Sequence, residues 1–365
     1  MTMHDMGSDG SAMGQQGGGF DEQLVASAEL LQRIRGLSRR FSGVGLRGTA
    51  LIRMPQCDRL VSSEARVWFA LENLQITGSF KVRGALAALD SWSGCTDRTV
   101  VTASAGNHGA GVAFAAEVLG WQAVVVVPEA TPRRKVQAIQ RAGVKLERVQ
   151  GGYDRAEEQA YSLAKTHGWR FLSPYDDVVV AAGNGGSLGF EIVQQLGCVP
   201  ERVVVPVGGG GLASGLGWAL AQQAGESIGQ NRRVWGVQSE MSPAMARSLE
   251  EKRAIESLEP LGPTLAEGLE GGVRARAFDR AAMVLGGVWV VTEQEISWAI
   301  QWIWQELGLR VEGSAAAALV PLLSGRLRGW IQGNMVIVLT GRNVDDDVFR
   351  QVTGDACCRS VGWSL

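Results

Sequence analysis

Apolar residues along this chain gather in short β-branched runs rather than alternating with polar ones. Such runs fall at residues 100–103, 123–127 (AVVVV), 144–149, 203–207, 234–238 and 335–339. Between several of them, small and apolar residues recur at helical spacing: 107–119, 131–142 (opened by Thr131-Pro132) and 154–167. A strand that is apolar on both faces belongs to a sheet covered on both faces, and helices between successive strands make that sheet mainly parallel. The pattern therefore predicts an α/β protein with two open, mainly parallel twisted sheets and helices on both faces. Residues 99–175 form one short self-contained unit. Residues 21–98 together with 176–350 form a larger one, with a disordered leader over 1–20 and a tail over 351–365. No internal repeat is evident. In the stretch ISWAIQWIWQEL, Trp298 and Trp302 share one helix face, which reads as core or subunit interface before any aromatic ligand box.

Composition narrows the partners. The chain has 365 residues, a net charge of −2, 45% hydrophobic and 20% charged residues. That balance offers no electrostatic footprint for nucleic acid or an anionic membrane, so small molecules are the expected ligands. No apolar stretch reaches the roughly 18–20 residues of a membrane span, and the Gly-, Met- and Gln-rich first 20 residues lack a signal-peptide core. The 5 cysteines are odd in number and scattered, without zinc-type spacing, and they fit a reducing cytoplasm. Adjacent Cys357 and Cys358 read as accidental neighbours near the C-terminal end, and no metal site is expected.

The 49 glycines are the compositional oddity. Many stand in clusters after apolar runs: Gly106 and Gly109, Gly183 to Gly186, Gly208 to Gly211. Glycine after a strand lets backbone amides approach an anion or a flat ligand. Gly208-Gly209-Gly210-Gly211-Leu212 follows VVVPV and precedes a helix-compatible run, which suits a phosphate held by main-chain N–H groups. It is neither the GxGxxG of a dinucleotide fold nor a P-loop.

Lys81 lies in Thr77-Gly78-Ser79-Phe80-Lys81-Val82-Arg83-Gly84, among small and aromatic neighbours rather than on a charged face. A lysine that attacks an aldehyde must shed its proton, which a desolvated setting favours. Ser104-Ala105-Gly106-Asn107-His108-Gly109 sits at a strand-to-helix junction whose amides can cradle a carboxylate. There Asn107 can donate to a phenolate oxygen, and His108 is either a general base or an imidazole locked from behind. Leu339-Thr340-Gly341-Arg342-Asn343 presents a hydroxyl at a strand end, suited to a neutral pyridine nitrogen.

In this order and spacing the four clusters resemble the fold-type II pyridoxal-phosphate enzymes, whose fold is like that of the tryptophan synthase β chain. The likeness is specifically to the threonine/serine dehydratase branch, and it runs from about Ile34 to Asp345. Ser173-Pro174-Tyr175-Asp176-Asp177 followed by Gly183-Asn184-Gly185 shares it. The resemblance implies that Lys81 bonds the cofactor, pyridoxal 5′-phosphate, and then removes the substrate α-proton. It also implies that Phe80 packs on the ring, Asn107 bonds its 3-oxygen and Thr340 faces its nitrogen. Gly208, Gly209, Gly210, Gly211 and Leu212 would hold the phosphate. Ser104, Ala105, Asn107 and His108 would grip the substrate carboxylate. Arg155 matches a position near the substrate entrance, or is a solvated surface arginine. A homodimer is the family expectation.

The implied reaction is α,β-elimination from a β-hydroxy amino acid such as threonine or serine, giving a 2-oxo acid and ammonia. A β-replacement or threonine synthase-like enzyme is the alternative, and a non-catalytic amino-acid-binding relative a third reading. Departures refine the expectation. Ala105 stands where serine racemases carry a second serine, which disfavours racemisation. Gln238 stands where the family's cation site begins with an acid. Arg342 replaces a glycine and either contacts substrate or points to solvent, while Glu312 is expected behind the ring. Little chain follows Asp347, so no regulatory domain of the biosynthetic dehydratases is expected.

Overall fold

The computed structural model describes residues 24–131, 133–140 and 143–354. The leader over 1–20, part of the tail and both Cys357 and Cys358 lie outside them.

The β-branched runs become buried strands of two sheets. The six-stranded sheet has the order β1-β2-β10-β7-β8-β9, with β1 Leu51–Arg53, β2 Arg66–Leu71, β7 Arg202–Pro206, β8 Val234–Ser239, β9 Leu285–Val291 and β10 Asn334–Leu339. The four-stranded sheet has the order β5-β4-β3-β6, with β3 Thr99–Ala103, β4 Gln122–Pro128, β5 Lys145–Val149 and β6 Arg170–Phe171. Every pairing is parallel except β1 with β2. All five residues of β3 are buried, as a strand covered on both faces requires. β5, with Lys145 and Glu147 paired at 2.8 Å, is a charged edge strand instead.

β9 (LGGVWVV) escapes the periodicity argument because Gly286 and Gly287 interrupt its apolar run. The glycines are there to admit a neighbour: a Cβ on Gly286 would stand 2.5 Å from Trp235 Nε1, and one on Gly287 2.7 Å from Trp235 Cζ3. Trp302 packs edge-on against Phe69 at 6.5 Å, as a core reading of that helix face requires. The helix Asp346–Gly354 runs across the expected boundary at 350, because buried Phe349 seats it against Trp304 of the Glu293–Leu307 helix.

The cluster Gly183 to Gly186 corrects an expectation. It follows no strand, but lies in a π-helical turn, Ala182–Gly186, wedged between two helices. A Cβ on Gly185 would meet the Leu212 carbonyl at 2.1 Å, and one on Gly215 the Ala181 carbonyl at 2.0 Å. Here glycine permits backbone-to-backbone packing of helices. Among the described residues no helix is long and apolar enough to cross a membrane.

Candidate active site

In parallel strands all carboxyl ends point the same way, so the loops that leave them collect along one edge of the sheet. β2 leads to the Glu72–Lys81 segment, β7 to the tetraglycine and β10 to Thr340. A short antiparallel contact, Ser79 with Gly341, joins two of these loops, and the Phe80 amide donates to the Thr340 carbonyl at 3.1 Å. Gly78 makes that turn at φ +79°, and a Cβ there would strike Asn343 Oδ1 at 2.3 Å.

Lys81 is the first residue of the Lys81–Ser91 helix, which is pinned from behind by Arg83. The fully buried Arg83 guanidinium pairs with Glu72 at 2.7 Å and Glu191 at 2.9 Å. The helix Asn107–Leu119 crosses this turn so closely that a Cβ on Gly111 would lie 3.1 Å from the Lys81 carbonyl carbon. Lys81 Nζ donates to the Pro174 carbonyl at 3.2 Å and lies 5.3 Å from the Phe80 ring centre. Burial pushes its pKa from 10.5 down to about 8, although the Glu312 carboxylate pulls the other way. At pH 7.5 roughly a quarter of such amines are neutral, against about one in a thousand for an ordinary lysine.

His108 resolves in favour of the locked imidazole. Burial, with the Lys81 charge adding to it, pushes its pKa to about 3, so the ring is neutral. A neutral ring 3.3 Å from the Leu172 carbonyl donates through Nε2, which leaves Nδ1 a buried acceptor with no partner among the described residues. Asn107 is likewise fixed: its Nδ2 donates to Glu312 at 2.9 Å, and its Oδ1 accepts from Asn343 Nδ2 at 2.7 Å. Ser104 Oγ accepts the Gly106 amide at 3.2 Å, and its carbonyl lies 2.3 Å from where a Gly109 Cβ would stand. Ala105 is half-buried beside the β4–β5 core.

The tetraglycine turns into the Gly211–Ala224 helix through Gly210 at φ +88°. A Cβ on Gly209 would meet Tyr175 Cβ at 2.8 Å, and one on Gly210 the Ala281 Cβ at 2.7 Å, so neither position admits a side chain. Among the described residues, no protein acceptor takes the amides of Gly208, Gly209, Gly210, Gly211 or Leu212. A run of unpaired donors at a helix N-terminus is what a phosphate needs. The loop stays close to Lys81 through one link, since Tyr175 on Gly209 directly follows Pro174 at the amine.

Two candidates have protein partners of their own. Arg155 is exposed and pairs with Glu158 at 2.6 Å. Arg342 does not project freely, because its guanidinium is bonded to the Asn73 carbonyl. Residues that sequence reasoning passed over are Asn343, the Leu172 and Pro174 carbonyls, and buried Ser79, whose hydroxyl has no partner among the described residues. Main-chain carbonyls leave no residue-type signal, whereas Asn343 stood in the motif that carries Thr340.

The group implied by this geometry is one with an aldehyde for Lys81 and a phosphate for the glycine amides, and the residues fit it. Residues 44–341 match the family described as pyridoxal-phosphate dependent enzyme. The chain is 36% identical to the L-threonine ammonia-lyase of Geobacter sulfurreducens, over 76% of this chain and 67% of that one. Serine racemase from Dictyostelium discoideum superposes with a TM-score of 0.76 at 28% identity, covering 88% of this chain and 100% of that one. For threonine deaminase isoform 2 from Solanum lycopersicum the values are 0.77 and 27%, with 92% and 96% covered. The matched span includes the poised lysine and the unpaired amides alike, and the chain therefore belongs to the pyridoxal-phosphate-dependent enzymes.

Proposed function

We propose that this enzyme is a dehydratase (ammonia-lyase) that converts a β-hydroxy amino acid, threonine, serine or a bulkier analogue, into a 2-oxo acid and ammonia. The carrying observation is Lys81, a buried amine with its pKa at about 8, bonded to the Pro174 carbonyl next to the Tyr175 that walls the glycine loop. Pyridoxal phosphate, bound there, supplies an electron sink that makes the substrate α-proton acidic. The chain's own residues do the rest. Gly208 to Leu212 would present amides to its phosphate, and Phe80 and Asn107 would flank and orient its ring. Thr340 would bring a hydroxyl rather than a carboxylate toward its nitrogen. The Ser104, Ala105, Asn107 and His108 loop receives the substrate carboxylate, with His108 a neutral support. Neutral Lys81 Nζ accepts the α-proton, and holding that base on the first turn of a pinned helix is a proximity effect as much as an acid–base one.

In support of a lyase stand the threonine ammonia-lyase and threonine deaminase names among the relatives. Ala105, with no hydroxyl for an opposite-face base, favours elimination over racemisation. We assign residues 99–175 to a small substrate-loop domain and 21–98 with 176–350 to a large cofactor domain. The proposed assembly is a homodimer in a reducing cytoplasm, to be checked by sedimentation equilibrium. Incubation of the purified enzyme with serine, threonine and phenylserine, and then 2-oxo acid assay, tests the reaction. No keto acid from any of them would sink it.

A further inference from the structure

A buried carboxylate bridges the layers of the two sheets, and the proposed reaction makes no use of it. Glu157 lies in the second turn of the Tyr153–His167 helix, which packs on β3 and β4, and is 8% exposed. A carboxylate so far from water is costly unless its oxygens are paired. Both are. Oε1 accepts the Tyr175 hydroxyl at 3.2 Å, and Oε2 is bonded by the Arg274 guanidinium.

The three partners come from three places. Arg274 directly precedes the Ala275–Val284 helix, whose Ala281 closes off Gly210 from one side. Tyr175 lies against Gly209 and Gly211 and follows Pro174, whose carbonyl accepts from Lys81. Glu157 alone belongs to the four-stranded sheet's layer. We infer that the Arg274–Glu157–Tyr175 chain is a positioning clasp. It ties the small sheet's helix over the phosphate loop and, through Tyr175, holds both the Gly209 wall and the Pro174 carbonyl in register with Lys81. This rests on the proposed reading of the glycine loop as the cofactor's phosphate site. Asn107, bonded to Glu312 and Asn343, is another link between the same two layers.

The test uses the holoenzyme. Arg274 is 44% exposed, so Arg274→Ala should fold, and Arg274→Lys, Glu157→Gln and Tyr175→Phe complete the set. Two readouts are taken: the dissociation constant of pyridoxal phosphate, and amide hydrogen exchange across the 153–167 helix. Each of Arg274→Ala and Glu157→Gln should weaken cofactor retention about tenfold, the loss of a charge-assisted bond. Their combination should be little worse than either alone, and Arg274→Lys should recover most of the loss. Exchange in the helix should quicken in step. A lowered melting temperature with unchanged cofactor retention would make the contact merely structural and overturn the inference, as would fully additive losses. Failure of the wild-type protein to take up pyridoxal phosphate sinks the parent reading as well, whereas normal wild-type uptake with unaffected variants sinks this one alone.

Discussion

Replacing Lys81 by methionine should make the cofactor-free protein more stable at neutral pH, by an amount that shrinks as pH rises. The side chain is buried with its pKa moved from 10.5 to about 8, so the folded state binds its proton less well than the unfolded chain. Below the folded pKa the whole penalty applies, about 3 kcal/mol at 1.36 kcal/mol per unit. Between the two pKa values the unfolded state holds more protons, and stability therefore rises with pH. Methionine keeps the length and removes the titration. The stability gap between variant and wild type should close by about 2 kcal/mol from pH 7 to pH 9.5. Urea unfolding of both cofactor-free proteins at the two pH values measures it, and taking the difference cancels the other titrating groups. A gap that is constant with pH, or a variant less stable than wild type at pH 7, would refute the claim that burial poises this amine.

Other consequences are more local. Gly215→Ala places a Cβ 2.0 Å from the Ala181 carbonyl, where backbone cannot yield cheaply, and should cost about 3 kcal/mol or more in urea unfolding. An unchanged midpoint would mean the two helices are not in contact there. The His108 ring, its pKa pushed to about 3, should show nitrogen NMR signals of one neutral Nε2–H tautomer that do not move between pH 8 and pH 5. Arg155→Ala removes an exposed ion pair with Glu158, so stability should stay within about 0.5 kcal/mol and KM for the amino acid within about twofold. A tenfold rise in KM would return Arg155 to the substrate entrance.

How much was legible depended on the kind of signal. Buried parallel strands announce themselves by continuous valine runs, and β3, β4, β7, β8 and β10 lie where those runs do. β9 did not, because Gly286 and Gly287 serve the packing of Trp235 on a neighbouring strand. Lys81, the tetraglycine and the Ser104–His108 loop stood out because chemistry at a strand end restricts residue type. Gly183 to Gly186 looked the same and proved to be helix-packing glycine, since both uses demand the missing side chain for different neighbours. Arg342 and Arg155 were undecidable, because an arginine's partner can be a distant carbonyl or a carboxylate one turn away.

By itself the chain's sequence determined the layered α/β architecture, the presence of a poised lysine and a phosphate-suited loop, and the family that combines them. These rest on local constraints: two-sided burial of strands, glycine where no Cβ fits, deprotonation among apolar neighbours. Only the tertiary structure decided that Lys81 rests on the Pro174 carbonyl, that His108 is neutral and locked, and that Glu157 and Glu312 bridge the layers of the two sheets. Those facts depend on which main-chain atom or charge comes within a few ångströms across more than sixty residues of chain, and desolvation, the largest influence on Lys81, exists only once the sheets have closed around it.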